Sequence, residues 1–363
     1  MRVLYIVNGI CGSGGLERVL SIKASALAED YACDVMILSL NEDVARPFFT
    51  LSDKIRLQSM EVPCRNPFRY IQAYRAELQR VADAFNPDII CVCDDALKGF
   101  LVPMLLRTEA SLIYERHAAK QIVLGDRKGF SRILAKLQLR LMDILGRRFD
   151  AFVVLTDGNV REWPFSVRVI PNPLPFYPPE PAGLSSKRVI AVGRQAYQKG
   201  YDLLLPAWRS VQDRHPDWTL DIYGKKNPHL GLEDLAATLG LSDSIQFLNP
   251  VADIDQKFLD ASICVLSSRF EGFAMVLIEA MISGVPCVAF DCPHGPGDII
   301  ESGVNGVLVP PESIDQLASA ICGLMEDPAQ RSAMGAAARL DAQQYGPDVI
   351  VRRWMNLFRE LRV

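Results

Sequence analysis

Apolar and polar positions along this chain form short apolar runs that alternate with longer segments of helical periodicity. The runs are rich in Val, Ile and Leu and are about as long as buried strands. In the first half they are VLYIV, DVMILSL, DIICVC, SLIYE and AFVVLT, and in the second half RVIAVG, TLDIYG, SIQFLN, ICVLSS and CVAFD. Strands that alternate with helices predict βαβ units, parallel sheets and an α/β fold.

A proline-rich segment separates the two sets of strands. Six prolines lie between Pro171 and Pro181, and no regular helix or strand runs through such a density. A chain of 363 residues also exceeds what one hydrophobic core usually supports. We therefore predict two Rossmann-like domains facing each other across a cleft, an N-terminal domain over residues 1–175 and a C-terminal domain over residues 187–346.

The last segment, residues 347–363, predicts a separate helix. Gly346 and Pro347 interrupt the chain before it. Apolar residues then recur at roughly helical spacing at Val349, Trp354, Leu357, Phe358 and Leu361. This helix has an apolar face that must be buried against another element.

A glycine-rich loop, CGSGGLERV, directly follows the first predicted strand. Gly12, Gly14 and Gly15 let the backbone approach a ligand closely, and a helix that starts near Leu16 directs unpaired N–H groups toward an anion. The loop predicts a phosphate contact, with a tight strand-to-helix turn as the alternative. Because Glu17 occupies the third glycine position of the dinucleotide fingerprint, an NAD-binding domain is disfavoured.

Two cations follow the strand RVIAVG in the second half. Arg194 and Lys199 lie in GRQAYQKGYD, after the carboxyl end of that strand, where open α/β sheets bind ligands. Two positive charges in a flexible loop suit a diphosphate. These residues are candidate charge-stabilising groups.

Two glutamates eight residues apart occur in SSRFEGFAMVLIEAM. Glu271 lies just before a predicted helix start, and at helical spacing Glu271 and Glu279 can face one side and lie about 12 Å apart along the axis. One carboxylate can accept hydrogen bonds from sugar hydroxyls and the other from a ribose. The backbone amides of Phe273, Ala274 and Met275 would point at the ligand from the helix start. For any one of these residues a helix cap or a surface charge is an equally good reading.

These motifs together resemble glycosyltransferase family 4, in particular bacterial enzymes of surface-polysaccharide or lipid-linked oligosaccharide synthesis. The resemblance rests on GGLERV, VIPNP, VGRQAYQKGYDLLLPAW, the two-glutamate stretch and CPHGPGDIIESGVNGVLVPP. It implies the GT-B fold and a retaining hexosyltransferase that uses a nucleotide-diphosphate sugar, with UDP favoured. The acceptor is expected to be lipid-linked or a saccharide.

The resemblance also implies roles for single residues. It places Glu271 at the donor sugar, Glu279 at the ribose and Arg194 with Lys199 at the diphosphate. It places Gly14 and Gly15 at the donor, and Gly295 in a donor-side loop. In YERHAAK, either Arg116 or His117 would face the donor sugar, and we favour His117 over the alternative of a structural histidine. The terminal helix is expected to return to the N-terminal domain and to couple domain closure to donor binding, with a helix that caps only the C-terminal domain as the alternative.

We expect neither a metal nor another cofactor. The triplet Asp253-Ile254-Asp255 precedes a helical segment and resembles helix-start charge more than a metal site. The nine cysteines include no C-x-x-C pair and are interpreted as reduced. A carboxylate pair suited to double displacement is not evident. The resemblance implies front-face displacement instead, in which the acceptor enters on the side where the diphosphate leaves.

Charge is unevenly distributed between the two halves. Residues 1–175 carry 23 Lys and Arg against 20 Asp and Glu, whereas residues 176–363 carry 16 against 23. Within residues 125–149, seven cations accompany Ile133, Leu137, Leu141 and Ile144 at helical spacing. This basic amphipathic helix predicts peripheral contact with an anionic membrane, a domain helix whose apolar face packs inward, or both together. At pI 5.7 a nucleic-acid partner is disfavoured.

The short apolar run at the N-terminus predicts neither a signal peptide nor a membrane span, so we expect a cytoplasmic protein, with or without contact at the inner membrane face.

Two other functions stay open at this point. A GT-B-fold nucleotide-sugar epimerase would need the same diphosphate cleft. A non-catalytic nucleotide-sugar-binding protein would keep the fold without the chemistry.

Overall fold

The computed structural model describes residues 1–44, 47–62, 66–125 and 127–362. They form two compact units, one of Met1–Pro175 with Gly346–Val363, and one of Phe176–Tyr345. Each unit is a parallel β-sheet with helices, which is the α/β class that the alternating runs predict.

The first unit contains a seven-stranded sheet among its described residues. Its strands are β1 (Arg2–Val7), β2 (Asp34–Leu40), β3 (Arg56–Met60), β4 (Ile89–Cys93), β5 (Ser111–Glu115), β6 (Ala151–Val154) and β7 (Arg168–Val169). Their order is β3-β2-β1-β4-β5-β6-β7, and all neighbouring pairs are parallel. The order reverses between β1 and β4, which makes this the switch point where open sheets bind ligands.

Helices connect these strands. They are α1 (Gly15–Glu29), α2 (Pro67–Phe85), α3 (Leu97–Phe100), α4 (Val102–Leu105), α5 (Gln121–Leu124), α6 (Gly129–Gly146) and α7 (Asp157–Val160). α1 begins directly after the glycine-rich loop, with Gly14 as its N-cap. The loop therefore precedes a helix, as the sequence predicts.

The second unit contains a six-stranded sheet among its described residues. Its strands are β8 (Arg188–Val192), β9 (Thr219–Tyr223), β10 (Ile245–Leu248), β11 (Ile263–Leu266), β12 (Cys287–Phe290) and β13 (Gly306–Val309). Their order is β10-β9-β8-β11-β12-β13, again all parallel. The switch point lies between β8 and β11.

The helices of the second unit are α8 (Tyr201–Arg214), α9 (Leu232–Thr238), α10 (Ile254–Leu259), α11 (Met275–Ile282), α12 (Pro296–Ile299), α13 (Ile314–Glu326) and α14 (Pro328–Ala342). Short 3-10 helices occur at Tyr197–Lys199, Pro228–Leu230 and Gln343–Tyr345. α10 bears the Asp253 triplet, with Asp253 as its N-cap and Asp255 in its first turn. Asp253 lies 3.4 Å from Lys257 on the next turn, which is a helix-start arrangement.

The terminal helix, α15 (Pro347–Leu361), belongs to the first unit. Trp354 and Phe358 are buried in a core cluster with residues of β1, β2 and α1. The Ser111 hydroxyl of β5 donates to the Leu361 carbonyl at 2.9 Å. The buried stripe differs from the predicted one at its start. Ile350 and Val351 are buried, whereas Val349 is only half-buried.

The proline-rich segment forms no helix or strand, as predicted, and its residues from Phe176 onward pack within the second unit. The Ala182 amide donates to the Ser283 carbonyl at 2.8 Å, and Arg339 donates to the Pro178 carbonyl at 2.6 Å. Residues 176–186, which the sequence leaves as a linker, therefore belong to the second unit.

Of the eight described cysteines, seven are buried free thiols and Cys11 is half-buried, and the ninth, Cys64, lies outside the described residues. Burial raises the pKa of the Cys292 thiol to about 12. Across the described ranges, every helix is too short or too polar to cross a bilayer.

Candidate functional site

The loops after β8 and β11 meet at the switch point of the second sheet. The Ser267 hydroxyl, just after β11, donates to the Lys199 carbonyl at 2.9 Å. The Gln198 side-chain amide donates to the Phe270 carbonyl at the same distance. Because the order of parallel strands reverses here, the two loops border the crevice in which open α/β sheets bind ligands.

Lys199 and Glu271, assigned by the sequence to the diphosphate and the donor sugar, form an ion pair at this point. Lys199 Nζ donates to Glu271 Oε1 at 2.7 Å, and the side chains are 16% and 7% exposed. The same carboxylate accepts from the Ser268 hydroxyl at 2.6 Å and from Gln198 Nε2 at 3.4 Å. Three donors therefore fix the carboxylate, and the lysine ammonium lies beside it.

Two glycines make this pairing possible. A Cβ on Gly193 would lie 2.8 Å from Lys199 Cε, so the lysine side chain passes over the space that glycine leaves. Gly200 has φ +62°, and a Cβ there would overlap the Ser267 carbonyl oxygen. Larger residues at either position would displace Lys199 or the loop after β11.

Arg194, the second predicted diphosphate residue, is exposed in the loop after β8. Within the described part of the chain, its guanidinium makes no hydrogen bond or ion pair with protein. Arg194 and Lys199 thus differ: Lys199 is held by Glu271, whereas Arg194 projects into solvent. Their shared role at a diphosphate remains a prediction.

Sequence reasoning missed a second ion pair that joins the same two loops. Arg269, two residues before Glu271, donates to both carboxylate oxygens of Asp202 at 2.8 and 2.6 Å and to the Tyr197 carbonyl at 2.8 Å. The Arg269 hydrogen bonds lower the pKa of Asp202. Asp202 lies in the first turn of α8, three residues after Lys199. The sequence signal for this pair is a charged residue close to each motif: Asp202 follows Lys199, and Arg269 precedes Glu271.

Glu271 precedes a helix, as the sequence predicts, but the predicted helical spacing between Glu271 and Glu279 is wrong for its first half. α11 begins only at Met275, so Glu271 lies in a loop and Glu279 in the helix. Ala274 precedes the helix with φ +66°, a left-handed conformation that is uncommon outside glycine and often found at functional sites. Helical geometry applies only from Met275 to Glu279. These residues are four positions apart, which corresponds to a rise of about 6 Å along the helix axis.

The backbone N–H groups at the start of α11 are predicted to face a ligand, and this contact remains a prediction. Phe273 and Ala274 are buried, and Met275 is half-buried. Among described residues, no protein acceptor pairs with the backbone N–H groups of these three residues. Glu279 is buried in a helix whose other residues are almost all apolar and buried. Its contact with a ribose remains a prediction.

Gly295 has a packing reason for being glycine. It has φ +93°, and a Cβ there would lie 3.0 Å from the carbonyl carbon and oxygen of Phe273. Its amide donates to Asp298 Oδ2 at 3.2 Å. The loop after β12 therefore lies against the loop that carries Glu271, and the Glu271 amide donates to the Pro293 carbonyl at 3.4 Å.

Two carboxylates line the glycine-rich loop of the first unit. Glu42 accepts from the amides of Ile10 and Cys11 at 2.7 and 2.9 Å. A Cβ on Gly12 or Gly14 would lie 2.5 Å from a carboxylate oxygen of Glu17, so both glycines leave room for this side chain. A Cβ on Gly15 would meet open space. The phosphate contact at Gly14 and Gly15 remains a prediction, and the structure supplies a packing reason at Gly14.

A buried ion pair lies at the carboxyl ends of β4 and β5. Lys23 of α1 donates to both carboxylate oxygens of Glu115, at 2.6 Å to Oε1, and both side chains are 1% exposed. The Lys23 ammonium also lies 4.1 Å from the ring centroid of Trp354 in α15, a cation–π contact. Lys23 falls on the apolar face of α1 with Leu20, Ala24 and Leu27, a pattern that could have identified it as buried.

His117 lies beside this pair. Its Nε2 is 3.1 Å from Glu115 Oε1, in an alignment that makes no hydrogen bond, and its backbone amide donates to Asp95 Oδ1 at 3.2 Å. Arg116 is buried, and its guanidinium donates to the Asp95 carbonyl at 2.9 Å and lies 3.0 Å from Asp95 Oδ1. The Arg116 guanidinium is thus held by contacts with protein atoms of Asp95. Which of the two contacts a sugar remains a prediction.

Cys93, Glu115 and His117 are the one group of potential metal ligands that comes together within the described residues, with ligand atoms within 4.8 Å of one another. The group does not fit a cation. The Lys23 ammonium already occupies both carboxylate oxygens, and burial raises the pKa of the Cys93 thiol well above its usual range, which keeps it protonated.

Comparison with known families decides the class of the second unit. Residues 179–341 match the family model described as glycosyl transferases group 1. The chain carries a group 1 glycosyltransferase domain. This domain spans the loops after β8 and β11 and therefore contains Arg194, Lys199, Glu271 and Glu279.

Relatives that match the whole chain are also named glycosyltransferases. The chain is 28% identical over 365 residues to an uncharacterized glycosyltransferase of Haemophilus influenzae, with 98% of this chain and 99% of the relative covered. It is 27% identical over 372 residues to the amylovoran biosynthesis glycosyltransferase AmsD of Erwinia amylovora, with 98% and 99% covered. Both relatives match the first unit as well as the group 1 domain.

A solved structure shares the complete fold. A TarM variant of S. aureus, in complex with fondaparinux, α-GlcNAc-glycerol and UDP, superposes with a TM-score of 0.82 at 14% identity and covers 98% of this chain and 99% of its own. At this identity the likeness concerns the fold alone. The two parallel-sheet units therefore have the GT-B fold that the motifs predict.

Proposed function

We propose that this glycosyltransferase moves a sugar from a nucleotide-diphosphate donor, with UDP-sugars favoured, to a lipid-linked or saccharide acceptor in bacterial cell-surface polysaccharide synthesis. The observation that carries the proposal is the Lys199–Glu271 pair at the switch point of the group 1 domain. It offers a cation for a diphosphate and a carboxylate for sugar hydroxyls in adjacent positions.

The donor class is supported by charge and by similarity. Arg194 and Lys199 suit a leaving diphosphate, whose negative charge grows as the sugar bond breaks. The TarM structure contains UDP, and the Erwinia relative is named for amylovoran biosynthesis. We infer from these a UDP-sugar and a polysaccharide-related acceptor for this chain.

We further propose that transfer retains the anomeric configuration and needs no metal. In this mechanism the acceptor hydroxyl attacks on the face from which the diphosphate leaves, and a donor phosphate oxygen takes its proton. Arg194, Lys199 and the amides before α11 stabilise the leaving group, while Glu271 orients the sugar. His117 and the glycine-rich loop are proposed contacts of the same donor.

A donor panel tests this function. The full chain is incubated with UDP-, GDP- and ADP-sugars, and donor-dependent shifts of the unfolding midpoint identify the nucleotide. The shifting donor is then supplied with saccharide and lipid-linked acceptors, and NMR of the product reports its anomeric configuration. We expect a shift with UDP-sugars and an α-linked product from an α-linked donor.

Two outcomes would overturn the proposal. A changed nucleotide sugar formed from donor alone, with no acceptor present, would indicate an epimerase. A donor-dependent shift without transfer to any acceptor would indicate a sugar-nucleotide-binding protein. The Glu271→Gln variant is the matched control for the donor panel and the transfer assay. It keeps the size of the side chain and removes its charge.

A further inference from the structure

Helix α6 presents an apolar row to solvent. Six large apolar side chains on it are exposed: Phe130 (73%), Ile133 (56%), Leu134 (51%), Leu137 (53%), Leu141 (40%) and Ile144 (62%). They recur every three or four residues and so form one row, about 21 Å long at 1.5 Å per residue. We call this set the α6 apolar row.

A different face attaches α6 to the first unit. Ala135, Met142 and Leu145 are buried and belong to the core cluster beneath the sheet of that unit. The sequence left two interpretations open, and the one in which Ile133, Leu137, Leu141 and Ile144 pack inward is wrong. These side chains are not needed to hold the helix in place, so burial in the core does not explain why they are apolar.

Cations accompany the apolar row. Seven exposed basic residues lie on or next to α6: Arg127, Lys128, Arg132, Lys136, Arg140, Arg147 and Arg148. At about 100° per residue, Lys136 and Arg140 lie along one edge of the row, and the buried Met142 and Leu145 lie along the other. The helix carries one acidic residue, Asp143, which is paired with Lys120. The basic charge of this surface is therefore largely uncompensated.

The geometry and the charge together select the partner. We propose that α6 docks on an anionic lipid bilayer, with the α6 apolar row inserted among the acyl chains and the cations at the headgroups. A convex row of separate side chains suits a deformable lipid phase better than a rigid protein groove. A second copy of this chain, packed symmetrically on the same row, would bring seven cations against seven. The whole chain has a net charge of −4, so a general electrostatic attraction to anionic surfaces would not explain binding to the bilayer.

Flotation with lipid vesicles tests the docking. The full chain is mixed with vesicles of phosphatidylcholine containing 30% phosphatidylglycerol, or of phosphatidylcholine alone, at low and high salt. We expect the wild type to float with the anionic vesicles and to bind the neutral ones at least 10-fold less. High salt should weaken binding without abolishing it, because the apolar contribution is not screened.

Two variants separate the apolar and electrostatic contributions. Ile133→Ser/Leu137→Ser/Ile144→Ser and Lys136→Glu/Arg140→Glu should each bind anionic vesicles at least 10-fold more weakly. The matched controls lie in the second unit: Leu340→Ser, at a side chain 66% exposed, and Lys187→Glu/Arg214→Glu, which reverses the same number of charges. Both controls should bind as the wild type does. All variants change exposed side chains, and their unfolding midpoints are measured to establish that they fold.

Several results would overturn the docking proposal. These are a wild type that does not float with anionic vesicles, or α6 variants that float as the controls do. A wild type that sediments as a dimer, together with a monomeric serine triple variant, would assign the row to a second copy instead. The assay contains neither donor nor acceptor, so its outcome is independent of whether the proposed transfer reaction is correct.

Discussion

The ammonium of Lys199 lies 2.7 Å from a carboxylate oxygen of Glu271, 72 positions further along the chain. The sequence assigns these two residues to different parts of a donor, yet in the structure each is the other's ion-pair partner. Together with the Ser268 hydroxyl, the lysine holds the largely buried carboxylate in one orientation. We therefore expect substitution of Lys199 to affect both stability and catalysis.

Arg194 and Lys199 should be distinguishable by substitution. Lys199→Ala leaves the Glu271 carboxylate without its cation, and we expect the free energy of unfolding to fall by about 2 kcal/mol, less than for a fully buried pair. Arg194→Ala removes an exposed side chain and should leave unfolding unchanged. Turnover should fall 100-fold or more in both variants, which corresponds to about 3 kcal/mol of lost charge stabilisation. Urea unfolding and steady-state kinetics measure the two effects.

The double variant Lys199→Met/Glu271→Gln is the control for this prediction. It removes both charges, so stability should return toward that of the wild type while turnover stays low. Activity near that of the wild type in both single variants would refute the diphosphate assignment.

The Arg269–Asp202 pair should act on catalysis by positioning the loop that carries Glu271. Arg269→Lys keeps the charge but loses the two-point hydrogen bond, so we expect kcat to fall about 10-fold with a smaller change in KM. Arg209→Lys is the matched control. Arg209 forms an exposed pair with Asp213 on α8, the helix that also carries Asp202, and this substitution should change neither kcat nor KM. Equal kinetics in Arg269→Lys and the control would show that the pair does not position Glu271.

The buried Lys23–Glu115 pair should dominate the stability of the first unit. Burial alone would raise the pKa of Glu115, but the Lys23 ammonium and the neighbouring His117 together outweigh it and hold this pKa well below its usual range. Burial would likewise lower the pKa of Lys23, but the Glu115 carboxylate together with Cys93 and Cys91 outweighs it, so this pKa is raised. Glu115→Gln leaves the ammonium buried and unpaired, and we expect a loss of about 3–5 kcal/mol of unfolding free energy.

The pH dependence of that loss has a definite sign. A lowered carboxyl pKa contributes stability above the unfolded value of about 4.3, and this contribution disappears as pH falls through the folded value. A raised lysine pKa contributes below about 10.4 and is lost as pH rises through the folded value. The stability difference between the wild type and Glu115→Gln should therefore be constant from about pH 5 to 9 and shrink in acid. A difference that grows on acidification would contradict the ionised pair.

Transfer should continue in excess EDTA. Asp253 and Asp255 occupy a helix start, and the Cys93, Glu115 and His117 group is closed by Lys23, so neither set suits a divalent cation. The measurement is product formation from the donor identified in the panel, with and without EDTA. Loss of turnover that Mn²⁺ restores would show that the leaving diphosphate depends on a metal, and the proposed roles of Arg194 and Lys199 would need revision.

The amino-acid sequence determines the elements, the division of the chain and the loops that border the ligand crevice. Strand periodicity, the prolines between Pro171 and Pro181 and the glycines after β1 act through local backbone geometry, and local geometry can be predicted from neighbouring residues. For the same reason the sequence predicts the apolar stripes of α6 and α15. It also brings Lys199 and Glu271 to one edge of a parallel sheet.

The tertiary structure alone decided what each of these groups contacts. Periodicity shows that α6 has an apolar face but not that the helix attaches through Ala135, Met142 and Leu145 instead. The spacing of Glu271 and Glu279 suggests two helical turns, whereas the left-handed Ala274 delays the helix start. The Lys23–Glu115 pair joins residues 92 positions apart, and only the packing of α1, β5 and α15 brings them together. Such contacts depend on which surfaces exclude water from one another, and that is a property of the assembled fold.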